Sequence, residues 1–407
     1  MANTFTSIIA DYWAKKLQLE HFKYNAYKFV ASSQYEAQLS DGDVFHKSYF
    51  DTQNAELAVY TPQSDIGVED ITTTDETLTV NQLFATAREF DRFQTVQTAM
   101  DIANEVAPKD AQRMANHMDY NVFAQVANAA NIVDSGYLGS GTADGVGIVP
   151  AATNVLEVFA AADRLLEEQN IASTDRKAVI CPRLAQSIKE FLGGRDTQLG
   201  DNKLQDGNLN LKFMGYNLYV SNNLYSTALL AMATQPTNGD TVVIDGITFI
   251  FRTALTSPAV AGEVLIGASA DVARANLTAL ITAPGTTTAN GSAWATTHEN
   301  YKKLVNRATA TNDNSANTMA LTYKGKSNLA VSETFADPTD TWTATKTLAH
   351  NFFCADTPVD IVQQIKPMVE ITPAQLRFSR YVKRGMYYGL KMFRENTFNT
   401  VAVKTKI

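Results

Sequence analysis

The sequence predicts an α+β protein, and three patterns carry that reading. An apolar stripe at three- and four-residue steps marks one very long helix from about 105 to 131. A helix–strand–helix succession follows between 154 and 192. From 233 to 346 the chain turns rich in Thr, Ala and Asn, and beyond 346 apolar strands and aromatic residues return. With 407 residues, 45% of them hydrophobic, the chain can form two or three domains and bury a sizeable core.

The N-terminal stretch is aromatic. Ile8, Ile9, Tyr12, Trp13 and Leu17 fit a short amphipathic helix, and Phe22, Tyr24, Tyr27 and Phe29 follow as an aromatic-rich arm. An ordinary N-terminal core helix fits the same pattern. Between 41 and 76 the periodicity is broken by Asp41-Gly42-Asp43, Pro62, Gly67 and two acidic clusters. A hairpin-like extension and a long surface loop both match that segment. From 77 the pattern tightens, with Leu78, Val80 and Gln82 alternating with Thr77, Thr79 and Asn81 as in a strand.

The long helix takes its stripe from Ala111, Met114, Met118, Val122 and Val126, with Asp110, Arg113, His117 and Asn121 outside it. Pro108 suits a first turn, where the missing N–H has no intrahelical partner to lose. Such an element is ~40 Å long at 1.5 Å per residue, well beyond the ~11–12 residues usual for a globular helix. Residues 134–150 read as a glycine-rich, flexible connection. Asn154 and Glu157 resemble an N-cap with its N3 acid, and Val155, Val158, Phe159, Ala162, Leu165, Leu166 and Gln169 form the helical face behind them. Ala178 to Cys181 is a short buried strand stopped by Pro182. Leu184, Ile188, Phe191 and Leu192 then give a helix ended by Gly193-Gly194.

Within 233–346 the hairpin signal is strong. Asp245-Gly246 joins Thr241–Ile244 to Ile247–Phe251, and Asp-Gly suits the left-handed dihedrals of a type I′ turn. Val264–Ile266, a helix carrying Val272, Asn276, Leu277, Leu280 and Ile281, and a strand at Thr318–Tyr323 complete what reads as a small self-contained unit inserted into a host domain.

Composition excludes several function classes. A net charge of -8 argues against a dedicated nucleic-acid binder, which presents a basic face. Two distant cysteines, Cys181 and Cys354, make no disulfide framework, and a reducing cytoplasm is the simplest setting. Asp11, Lys15 and Lys16 interrupt any leader-like apolar run, and no stretch approaches the ~20 apolar residues that span a bilayer.

No site for chemistry is expected. His21, His46, His117, His298 and His350 are too far apart for a metal motif. Gly139 to Gly145 lacks the spacing of a phosphate loop, and no G-x-S-x-G elbow occurs. The acid pairs Asp75-Glu76 and Glu167-Glu168 are adjacent in sequence and read as solvated faces. One cluster stands out: Arg377, Arg380, Lys383 and Arg384 lie within eight residues of an acidic chain. It reads either as a contact to phosphate or to acidic surfaces of a neighbouring subunit, or as a solvated patch.

The order of these elements resembles the Hong Kong 97-type fold of tailed-bacteriophage major capsid proteins. Three stretches carry the resemblance: Y-T-P-Q-S-D-I-G-V-E-D-I-T-T-T-D-E-T-L-T-V-N at 60–81, A-P-K-D-A-Q-R-M-A-N-H-M-D-Y-N-V-F at 107–123, and R-F-S-R-Y-V-K-R-G-M-Y-Y-G-L-K-M-F-R at 377–394. The last contains the phrase Tyr388-Gly389-Leu390-Lys391. The likeness covers the chain except 233–346.

The resemblance implies an N-terminal arm at 1–39, an extended loop at 40–76 that lies over an adjacent subunit, and a peripheral domain with its spine helix at 77–150. It implies an axial domain at 151–232 that returns at 347–384, an inserted α+β domain at 233–346, and a peripheral closing strand at 385–407. It further implies a shell of pentamers and hexamers around double-stranded DNA, with a portal and scaffolding or decoration proteins as partners. DNA would be held by non-specific proximity, without cofactor, metal, membrane or catalysis. The protein would be made in the host cytoplasm and reside in the virion capsid. Inter-subunit contact is expected of Trp13, Tyr49, Phe50, Tyr60, Arg377, Arg380, Lys383 and Arg384. An encapsulin-like nanocompartment subunit of the same fold, a cytoplasmic enzyme, and another virion component such as a tail or decoration protein are the alternatives, the long helix arguing against the last.

Overall fold

The computed structural model describes residues 26–39, 42–51, 62, 72–91, 102–193, 212–287, 290–373 and 378–407. These fall into two compact units. The described residues of the first lie within 36–115 and 362–389. Those of the second lie within 23–35, 116–361 and 390–407.

The first unit is built from strands. β2 (Val44–Asp51) pairs antiparallel with β3 (Thr72–Thr79) as a two-stranded ribbon, in register from Val44 opposite Thr79 to Asp51 opposite Thr72. Of the two sequence readings of 41–76, the hairpin-like one describes these flanks. The Val80 N–H donates to the Asp43 carbonyl at 2.9 Å and closes the base of the ribbon. The alternation read from 77 to 82 spans two strands. β3 ends at Thr79, and β4 (Gln82–Asp91) opens after Val80 and Asn81.

β4 pairs with β18 (Ser379–Lys391), which neighbours β17 (Val359–Pro373) in the same sheet. Tyr388, Met386 and Val382 alternate along β18 on one buried face. The other face, with Leu83 on β4, is open.

The long helix, α1 (Ile102–Ala124), starts earlier and stops sooner than expected, with a 3₁₀ turn at Gln125–Asn128. Its 23 residues span about 35 Å. Pro108 is therefore its seventh residue, where it removes one intrahelical hydrogen bond. Met114, Met118, Val122 and Val126 are buried as expected, but Ala111 is exposed, and Asp110, His117 and Asn121 are buried. The buried face is centred on Met114 and takes in those polar residues, because 110, 114, 117 and 121 are also helical steps.

The second unit centres on a nine-stranded sheet that runs from β13 (Ala308–Asp313) and β14 (Thr318–Tyr323) through β9 (Tyr225–Ala231), β16 (Leu348–Ala355), β6 (Arg176–Ile180) and β8 (Tyr216–Val220) to β7 (Lys212–Phe213), with β19 (Thr400–Lys406) and β5 (Asn131–Val133) branching from β16. Its hub is β16 (Leu348–Ala355), buried at every residue. Along one edge it pairs with β19 (Thr400–Lys406). Along the other it pairs first with β9 (Tyr225–Ala231) and then with β6 (Arg176–Ile180). β5 (Asn131–Val133) extends β19 in parallel, and β8 (Tyr216–Val220) continues from β6 to β7 (Lys212–Phe213). Segment 385–407 is therefore not one closing strand: β18 ends at Lys391, and β19 belongs to this sheet.

Two helices flank the sheet's strands in sequence as expected, α3 (Val155–Glu168) and α4 (Pro182–Gly193). Phe159 of α3 meets Phe353 of β16 edge-on at 5.0 Å. Asn154 precedes α3 without capping it: its side chain accepts from the Ala151 N–H at 3.0 Å and donates to the Val149 carbonyl at 2.9 Å. The glycine-rich stretch read as a flexible connection instead holds a one-turn helix, α2 (Ser135–Ser140). Buried Asp134 organises it by accepting from the N–H groups of Tyr137, Asp144 and Gly145 at 3.0, 3.1 and 2.8 Å.

The 233–346 stretch holds the expected hairpin, β10 (Thr241–Ile244) and β11 (Ile247–Arg252), with Asp245 and Gly246 both at positive φ. β12 (Glu263–Leu265) and α5 (Ala270–Thr282) also match. A further helix, α6 (Glu299–Arg307), leads into β13 (Ala308–Asp313), and β15 (Val331–Glu333) pairs with β10. The expectation of a self-contained unit is corrected. β14 (Thr318–Tyr323) is hydrogen-bonded along its whole length to β9, and Phe249 and Leu277 share one core with Leu230 of β9. β10, β11, β12 and β15 do form a four-stranded sheet of their own, but β13 and β14 belong to the nine-stranded one.

Candidate functional site

Two surfaces of the first unit carry the residues singled out from sequence. The first is the ribbon. Alternation sets Val44, His46, Ser48 and Phe50 on one face and Phe45, Lys47 and Tyr49 on the other. Phe50 is 72% exposed, which no isolated strand pair needs for its own stability. Tyr49 is half-buried, with the Lys47 ammonium 5.2 Å from its ring centroid. His46 pairs with Asp75 at 2.6 Å near the exposed side of the ribbon. Asp75 and Glu76 lie on a strand and face opposite ways.

The second surface is the basic segment of β18. In the β4–β18 register, Arg380 lies opposite Phe90, Val382 opposite Arg88, and Arg384 opposite Thr86. Arg380, Val382, Arg384 and Arg88 share one sheet face, the one that also carries buried Met386 and Tyr388, because residues two apart and directly paired residues point the same way. Lys383 lies opposite Ala87 on the other face, and is exposed like Arg380. Arg384 is mostly buried and forms an ion pair with Asp110 of α1, itself only 1% exposed. Arg88 and Arg113 approach the same carboxylate at 3.8 Å each. Burial lowers the Arg384 pKa first of all; Asp110 opposes that, and Arg88 and Arg113 add to it. Trp13, Tyr60 and Arg377 lie outside the described residues.

Sequence reasoning missed Asp110 and Arg88 as members of this cluster, and it missed Asp119. Asp119, fully buried on α1, accepts from the Ala26 and Tyr27 N–H groups at 3.3 and 3.0 Å and from Asn223 at 3.0 Å. It thereby ties the Ala26–Tyr27 backbone to α1.

Four of the five histidines, His46, His117, His298 and His350, lie among the described residues. Among the described residues, no group of three or more His, Cys, Asp or Glu could hold a metal ion. His117 is held down to about 3 by burial, then by Arg307 and Lys324, and its ring contacts the Tyr120 hydroxyl. His350, also held at about 3 by burial and by Lys404, bonds Thr227 at 3.0 Å. His298 accepts from the Asn300 N–H at 3.1 Å at the start of α6. Burial keeps His117 and His350 neutral at ordinary pH. Cys181 and Cys354 are buried free thiols, and burial pushes the Cys354 thiol far up.

A strand ribbon, one long helix and a mixed sheet entered late by the C-terminal strand define an α+β class. No family model matches the chain, and no curated protein matches it. Solved structures do. The chain is similar to the structure titled Mycobacterium phage Che8, with a TM-score of 0.57, 14% identity and 98% of each chain covered. It is also similar to a chain in the capsid structure of the cyanophage P-SCSP1u. There the TM-score is 0.51 and the identity 11%, over 99% of this chain and 94% of that one. These likenesses show the fold: it is the Hong Kong 97-like fold of phage capsid structures, as the sequence resemblance implied.

Proposed function

We propose that this chain is the major capsid protein of a tailed bacteriophage, a structural subunit that assembles into pentamers and hexamers of an icosahedral shell around double-stranded DNA. The observation that carries the reading is the end-to-end likeness in fold, which takes in 98% of both chains in the Che8 comparison. The exposed ribbon supports it. A two-stranded ribbon is marginal alone, and laying it on a neighbour buries surface that closed heterologous rings require. Under this reading 40–76 is the loop that reaches an adjacent subunit, α1 is the spine helix, and 151–232 with 347–384 surrounds the capsomer centre. Residues 233–346 decorate the outer surface or brace capsomers. Portal and scaffolding or decoration proteins are the expected partners, and synthesis takes place in the host cytoplasm. Among the described residues no helix is long and apolar enough to cross a membrane.

Deleting 41–76 tests the reading. The expected product is a soluble subunit that forms no shells; normal particles from the deletion would remove the loop assignment. The contents of wild-type shells separate the two uses of the fold: packaged DNA supports the virus, and an enclosed enzyme the nanocompartment.

A further inference from the structure

Beside α1, two cations stand opposite each other at the end of the β13–β14 ladder. Its last pair is Ala308 with Tyr323. One position further, the Lys324 N–H donates to the Arg307 carbonyl at 2.9 Å, so Arg307, the last residue of α6, lies across from Lys324. Like charges at opposed positions repel. Both side chains reach α1. The Arg307 guanidinium lies 5.1 Å from the Tyr120 ring centroid, and the Lys324 ammonium donates to the Asn121 side-chain oxygen at 3.3 Å. Gly325, at positive φ, turns the chain so close to Tyr120 that a Cβ there would stand 2.9 Å from the tyrosine's own. Arg307 and Lys324 are half-buried, and Tyr120 and Asn121 behind them are buried.

Among the described residues, neither Arg307 nor Lys324 forms an ion pair. The acids of the neighbouring elements are engaged elsewhere. Asp245 pairs with Lys326 and accepts from the Tyr323 hydroxyl at 2.6 Å, and Glu299 pairs with Lys303 at 3.1 Å. The C-terminal end of α6 offers Arg307 a partial negative charge, but that effect fades within a turn. Burial holds the Lys324 pKa below its ordinary value. His117 is depressed first by its own burial and then by Arg307 and Lys324 together, so the two charges act on one point.

We propose that Arg307 and Lys324 form a binding site for one small oxyanion of the phosphate class, which ties α6 and β14 to α1. The proposal does not depend on the shell-subunit reading. A tetrahedral dianion meets both cations at once: the guanidinium offers it a fork of N–H groups, and the ammonium a compact charge. It thereby turns a repelling pair into a bridge, and an anion that binds the folded chain alone stabilises it. A single carboxylate would answer one of the two charges. A nucleic-acid backbone is disfavoured as the source of the phosphate. Its affinity comes from neutralising a row of phosphates, whereas here two cations stand against the wall that α1 makes.

The test titrates full-length protein with inorganic phosphate at constant ionic strength, chloride being the replaced anion, and reads calorimetric binding and the thermal midpoint. Lys324→Gln keeps an amide that can still donate to Asn121, and Lys302→Gln, at an exposed position of α6, is the control. Wild type and Lys302→Gln should bind one phosphate per chain, with midpoints that rise by a few degrees and saturate. Lys324→Gln should lose about tenfold or more in phosphate affinity, the loss of one charge-assisted hydrogen bond. In chloride alone it should be at least as stable as wild type, because it relieves the repulsion with Arg307. Equal phosphate responses in wild type and Lys324→Gln would show only the general exclusion of phosphate from protein surfaces and would overturn the proposal. A Lys324→Gln chain less stable than wild type in chloride, with its phosphate response unchanged, would make Lys324 a structural residue and overturn it as well. A short single-stranded oligonucleotide that binds through Lys324 where inorganic phosphate does not would assign the pair to nucleic acid, with the same consequence.

Discussion

No side chain fits at Gly389 of β18, because the Thr79 carbonyl oxygen lies 2.5 Å from where its Cβ would stand and the Val80 Cα only 2.9 Å away. The strand end thus runs against the backbone where β3 passes into β4, and the Tyr387 hydroxyl donates to the Val80 carbonyl at 2.7 Å beside it. This gives the phrase Tyr388-Gly389-Leu390-Lys391 a physical cause: glycine is needed for close approach, at a backbone that any residue could otherwise adopt.

Gly389→Ala should therefore destabilise the protein by about 2 kcal/mol through overpacking against backbone that cannot move aside. Gly385→Ala, four residues before it, is the control. Its nearest neighbour would be the Phe84 carbonyl oxygen at 3.5 Å, an ordinary contact. The thermal midpoint should fall by several degrees for the first and stay within about a degree for the second. Equal midpoints would show that the strand relaxes.

Asp110→Asn should cost about 3 kcal/mol, because it leaves the largely buried Arg384 guanidinium among like charges without its carboxylate. Adding Arg384→Met should return most of that loss, since an apolar side chain needs no counter-charge. Denaturant midpoints of the single and double variants decide it. A double variant no more stable than Asp110→Asn alone would mean that Asp110 acts through contacts other than Arg384.

Stability should fall with pH before most carboxylates titrate. His117 and His350 have folded pKa values of about 3 against an ordinary 6.5. Above about 6.5 both are neutral in folded and unfolded chains and add no pH dependence. Below it the unfolded chain gains protons that the folded chain refuses, so stability is lost progressively from about pH 6.5 towards 3. At pH 5 the linkage amounts to about 2 kcal/mol per histidine. Thermal midpoints of wild type and His117→Gln/His350→Gln between pH 7 and 5 check the sign. The wild-type decline should be steeper, and parallel curves would refute the linkage.

Local features were legible because local rules decide them. Asp245-Gly246 specifies its turn by dihedral preference alone, and the apolar faces of α3 and α4 follow from periodicity. What depends on distant partners was not legible. Asp110, His117 and Asn121 looked solvent-facing because they are polar. Their helical steps coincide with Met114, so the burial signal was present, but the partners that make burial tolerable were not visible. Arg384 reads as a surface cation until Asp110, 274 positions away in sequence, is brought to it. The pairing of β14 with β9 escaped for the same reason: threonine and alanine fill a central strand as readily as an edge. Of the contact residues expected from sequence, Phe50, Arg380 and Lys383 are exposed, whereas Arg384 is engaged within its own unit.

The most direct measurement is the assembly state of the wild-type chain. It should be expressed alone and with its neighbouring structural genes, then examined by size-exclusion chromatography and negative-stain electron microscopy. Closed shells, or rings of five and six subunits, are the expected result. A chain that remains a monomer or dimer under both conditions would contradict its assignment as a capsid subunit.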